Sequence, residues 1–209
     1  ILCPGGLELA EGEGASVNWP DNRHGTGVAG VVQQFAPDTG FVFIHISPGK
    51  GGGTSRTHQL AYDWVVDNAQ HYGIDVLVMS MARPTYPRAE RDLGFERFCS
   101  EHPAFGKFEA GSDSKSIAAM RALGVVPVFG SGNEGYLNYV SPPSCYEHSV
   151  SVGAVTEFGK ITPYSNIGGP PFSHQRMYLI KIRTSTPSPG SGPKIALTLI
   201  VYLAFIALF

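Results

Sequence analysis

V-V-P-V-F, residues Val125 to Phe129, runs directly into G-S-G-N-E-G, Gly130 to Gly135. An unbroken apolar run that ends in glycines reads as a buried strand opening onto a loop whose backbone can be approached closely. Phe41 to Ile46 (F-V-F-I-H-I), Asp75 to Met81 (D-V-L-V-M-S-M) and Ser149 to Val155 (S-V-S-V-G-A-V) have the same character. Helical patterns fall between these strands. They span Gly25 to Phe35, Thr57 to Tyr72 and Asp113 to Leu123. In the second, Leu60, Ala61, Trp64, Val65 and Asn68 share a face, and Ser112 is placed to cap the third. Near-continuous apolarity in the strands predicts a mostly parallel sheet covered on both faces. Strand and helix alternating at this spacing predict right-handed β-α-β crossovers, hence an α/β fold. Arg83 to Gly111, with Pro84, Pro87 and Pro103 among many charges, reads as a surface excursion.

The chain has 209 residues, 43% of them hydrophobic and 15% charged, enough for one sizeable core. A net charge of -2 gives no basic surface of the kind that neutralises phosphates, which argues against nucleic acid as a partner. Cys3, Cys99 and Cys145 form no C-x-x-C pair and no disulfide framework, though one bridge between Cys99 and Cys145 is allowed. After about Gly168 the composition changes. Residues 169–194 form a polar segment broken by prolines, and residues 195–209 form an uncharged, mostly apolar run. As a helix that run would be about 22 Å long, short of the roughly 20 residues that span a bilayer. Membrane contact is expected only through it.

Two segments carry chemistry. In R-H-G-T-G-V-A-G, Arg23 to Gly30, a histidine opens a helix, where the positive end of the macrodipole disfavours the imidazolium and favours a neutral base. Gly27, Ala29 and Gly30 are small enough to let that helix pack closely on neighbouring backbone. In F-G-S-G-N-E-G, Phe129 to Gly135, an asparagine between glycines follows a strand's carboxyl end, where open α/β sheets bind ligands. Taken alone, the first reads as a structural histidine and the second as a left-handed Asn-Gly turn. Together they resemble the histidine motif H-G-T-x-V-A-G and the oxyanion segment of the subtilisin-like serine proteases, in the expected order. All six fixed positions of the histidine motif match.

That resemblance, which runs from about Asp21 to Gly168, implies a partial subtilisin-like peptidase domain over residues 1–168, with a three-layer fold incomplete at both ends. It implies His24 as general base and acid and Asn133 as oxyanion donor. Ser80, Met81 and Ala82 would hydrogen-bond an extended polypeptide substrate, and Gly130, Ser131 and Gly132 would face it across the first specificity pocket. Where the family has glycines this chain has Ala82-Arg83, which would narrow or re-aim that pocket. The Y-S-N turn, Tyr164 to Asn166, would be structural. No organic cofactor is implied; calcium occurs in the family, but no calcium site stands out in this sequence. The family is often secreted, so a secreted or luminal place is expected.

The triad acid and nucleophile do not stand out. Asp21 is the single aspartate before His24, and its W-P-D-N-R-H setting is unlike the family's apolar-D-S/T-G strand. Ser185, in R-T-S-T-P, lacks the leading glycine of the nucleophile motif. The sequence therefore reads as a fragment of a serine endopeptidase, inactive as it stands. Its alternative is a pseudoprotease that binds peptides or proteins without cleaving them. A nucleotide-binding reading of Gly49 to Gly53 or Gly130 to Gly135 is disfavoured, because neither cluster has the P-loop lysine pattern, and the G-x-G-x-x-G letters of Gly130 to Gly135 are by themselves a weak signal.

Overall fold

A computed structural model describes residues 24–46, 53–81, 110–137, 139–156, 158–168, 178–181 and 198–203. In chain order they form α1 (His24–Phe35), β1 (Gly40–Val42), α2 (Ser55–Tyr72), β2 (Val76–Ser80), α3 (Ala110–Ala122), β3 (Val126–Gly130), β4 (Val150–Val155), β5 (Tyr178–Lys181) and β6 (Thr198–Leu203). Most of the Arg83 to Gly111 excursion lies outside the described residues.

All six strands belong to one sheet, ordered β1-β6-β2-β3-β4-β5, and every pair is parallel. Register partners in a parallel sheet share a face, and successive residues alternate between faces. Leu77, Met79 and Phe129 meet α2 and α3 through Ala61, Tyr62, Val65, Ile117 and Met120 in the main core. Val76 and Val78, on the opposite face, pack with Val28 and Val32 of α1 and with Phe41. The architecture is thus three-layered, with α2 and α3 on one side and α1 on the other. Val126, Val128, Val150 and Val152 continue the α1 face across β3 and β4 and are half-buried.

Local chemistry explains the helix bounds. Thr54 caps α2: its Oγ1 accepts from Thr57 N at 3.2 Å, and Thr57 Oγ1 accepts from Thr54 N at 2.8 Å. Gly73, at φ 61°, ends the helix in the left-handed conformation that glycine adopts without steric cost. The face of α2 is wider than the spacing suggests, because the helix meets both the sheet and α3: His58, Tyr62 and Ala69 are also buried. A polar seam joins the two helices, with Gln59 Nε2 and Ser116 Oγ both donating to Asp63 Oδ1, at 2.6 and 2.8 Å. Helix α3 begins at Ala110, so Ser112 lies within its first turn and does not cap it. In Phe41 to Ile46, only Phe41 and Val42 are in strand; Ile44, at an isolated β-bridge, and Ile46 continue into the core.

β5 and β6 come from the stretches that the sequence shows as proline-rich and apolar. β6 lies between β1 and β2, and α1 lies against it. Among the described residues no helix is long and apolar enough to cross a membrane. Cys145 is buried and disulfide-bonded, while Cys3 and Cys99 both lie outside the described residues.

Candidate active site

His24 is the first residue of α1 and is half-buried. Helix α1 ends at Phe35, four residues short of the start of β1, near the amino edge of the sheet. Its length of about 18 Å carries His24 back towards the carboxyl edge, where ligands bind in open α/β sheets. The helix buries Val28 and half-buries Ala29 and Val32. The close packing expected at Gly27 and Gly30 is not found. A Cβ at Gly25, Gly27 or Gly30 would meet nothing within 4 Å among the described residues, because Gly27 and Gly30 lie on the exposed side of the helix.

The second element of the site leaves the sheet at the same edge. Met79 is in register with Phe129, so Ser80 and Gly130 end neighbouring strands side by side. Ser80 and Met81 are half-buried, Met81 against the main core, and Ala82 lies outside the described residues. Beyond Gly130 the chain turns through a loop in which Asn133 is exposed. The left-handed positions are Gly132 and Gly135, at φ 111° and 71°, and not Asn133. Glycine is needed at Gly132, because a Cβ there would collide with Asn166 Nδ2, Glu134 Oε2 and Ser141 Oγ. At Gly135 it would lie 2.5 Å from Pro163 O.

Ser131 is used inside the protein. Its N donates to Val152 O at 2.8 Å, its O accepts from Ser141 N at 2.8 Å, and its Oγ donates to Asn166 O at 2.9 Å. Behind the loop stands Asn166, 0% exposed, whose hydrogen bonds reach residues on both sides of Asn133. Sequence reasoning gave this residue only a structural place. The Y-S-N string marks the turn but not this role, since the loop it holds lies some thirty positions upstream. Tyr139 packs beside the loop against Tyr136. Burial, with the Glu134 carboxylate adding to it, holds its hydroxyl well above the usual range and keeps it protonated.

Asp21 and Ser185 lie outside the described residues. Among the described residues no group of three or more His, Cys, Asp or Glu is placed to hold a metal ion. The geometry thus brings the amino end of α1, the ends of β2 and β3, and the Asn133 loop to one edge of the sheet. A histidine and an asparagine are residue types that acyl transfer can use as base and hydrogen-bond donor.

A sequence profile of the subtilase family matches residues 10–177. Subtilisin DY of Bacillus licheniformis is 26% identical over 173 residues, covering 78% of this chain and 54% of that protein. The chain thus spans about half the length of that curated relative. Among solved structures, a lanthipeptide protease is 22% identical with a TM-score of 0.47, over 72% of this chain and 44% of that one. The prenylagaramide maturation protease PagA is 16% identical with a TM-score of 0.46, over 64% of this chain and 40% of that one.

Proposed function

Because the chain belongs to the subtilase family, we propose that it is part of a serine endopeptidase whose complete form cleaves peptide bonds through a serine acyl-enzyme. In that form His24 takes the nucleophile's proton and returns it to the leaving amine, and the Asn133 side-chain amide stabilises the oxyanion. The observation that supports this reading is that α1, headed by His24, packs on Val76 and Val78 of β2, while the Asn133 loop follows Gly130 at the end of the neighbouring strand β3. Ser80, Met81 and Ala82 are the candidates for holding an extended polypeptide, with Gly130 to Gly132 as the facing wall of the first specificity pocket. The disulfide at Cys145 supports an oxidising, secreted or luminal setting.

The chain itself is proposed to be inactive. Asp21 has the wrong setting for the triad acid, and Ser185 for the nucleophile. A fluorophosphonate probe that traps activated serines is expected to leave the purified chain unlabelled. Stoichiometric labelling of a single serine would overturn this. The half-buried ends of β2 and β3 at Ser80 and Gly130 also favour a second reading, in which the domain binds extended peptides without cleaving them. Saturable binding of an unlabelled peptide pool by the full-length protein, with no cleavage products, would select that reading over the protease.

A further inference from the structure

We infer that Asn166 is the positioning residue of the loop that carries Asn133. This rests on the reading of Asn133 as oxyanion donor. Asn133 is exposed, and the segments on either side of it are tied to one fully buried side chain 33 positions later in the sequence. The Asn166 Oδ1 accepts from Glu134 N at 3.1 Å and from Tyr136 N at 3.0 Å, which uses both of its lone pairs. The Asn166 Nδ2 donates towards Glu134 Oε2 at 2.6 Å, Ser131 O at 3.2 Å and Ser141 Oγ at 3.2 Å. The backbone closes the clamp: Asn166 N donates to Gly132 O at 3.1 Å, and Ser131 Oγ donates to Asn166 O at 2.9 Å. Ser131, Gly132, Glu134 and Tyr136 are therefore all held by Asn166, and Asn133 lies in their midst.

The chemistry demands an amide at this position. Two backbone N–H groups need an acceptor on one side of the side chain, while a carboxylate and a carbonyl need a donor on the other. The reverse orientation would set an NH2 group against two N–H groups. A carboxylate would satisfy the N–H pair but place its second oxygen against Glu134 Oε2. These side-chain bonds all end in the segment from Ser131 to Ser141. A loop fixed before the reaction starts is what oxyanion stabilisation needs, because no reorganisation is then required as charge develops.

The test is amide hydrogen exchange on the full chain. In Asn166→Asp, the Glu134 and Tyr136 amides should exchange at least tenfold faster, with Val128 in β3 and Val152 in β4 unchanged. The double variant Asn166→Asp with Glu134→Gln exchanges the places of amide and carboxylate, and should restore protection at Glu134 and Tyr136. A merely structural role would not give that reciprocal rescue. Unchanged exchange in the single variant, equal loosening of β3 and β4, or no rescue in the double variant would each overturn the inference. Asn133→Ala separates this inference from the reading it rests on. It should leave loop protection intact in this chain and, in the complete enzyme, lower kcat by about 10²–10³ with little change in KM. An unchanged kcat there, with the clamp data intact, would remove Asn133 from the oxyanion role and so overturn the inference as a statement about catalysis.

Discussion

Gly132 combines a φ of 111° with three polar side-chain atoms where a Cβ would sit. Replacing it with alanine adds left-handed strain and pushes against groups that hydrogen-bond one another. Gly132→Ala should therefore cost roughly 2–4 kcal/mol in urea unfolding. His45 is sensitive in another way. Burial lowers its pKa below 6.5, so the folded state favours the neutral imidazole. The unfolded chain then binds more protons as pH falls. The contribution is fully present above the unfolded value of 6.5 and is lost as pH drops through the folded value. A plot of melting temperature against pH should decline below about 6.5, and His45→Gln should flatten that decline.

The exposed side of α1 is undemanding by comparison. Gly27 sits inside the helix, with open space where its Cβ would be. Since glycine in a helix interior costs about 0.5–1 kcal/mol relative to alanine, Gly27→Ala should raise stability by that amount in denaturant titration. A loss instead would mean that a neighbour outside the described residues packs against it. Elements of this kind were largely legible from sequence, because apolar period and cap chemistry are local signals. V-V-P-V-F and D-V-L-V-M-S-M each gave a strand displaced by no more than a residue or two. The Ser112 cap failed because the helix continues back to Ala110, and F-V-F-I-H-I gave a shorter strand because pairing beyond Val42 is reduced to a single β-bridge at Ile44. Within the site, His24 and Asn133 stand in recognisable strings. Asn166 stands in the Y-S-N string, but its role cannot be read there, because that role comes from partners brought together by β4 and the turn at Thr162 to Ser165.

At the scale of the whole chain, one covalent link reinforces a sheet assembled from distant segments. Cys145 is buried in the main core and disulfide-bonded. Reduction should lower the melting temperature by about 5–15 °C, from the roughly 2–4 kcal/mol typical of a disulfide and about 2–4 °C per kcal/mol for a chain of this length. An unchanged melt under reductant would show that the core holds Cys145 without it. The dependence of the Gly130 to Gly135 loop on Asn166 also defines what could be transplanted. A designer who grafted only those residues onto another parallel sheet would copy the letters and lose the shape, since nothing in the new host would supply the amide that fixes them. The smallest portable cassette runs from Val126 to Ile167: it takes in both strands, the loop and the turn behind it, and recombination within the family would have to respect the same seams.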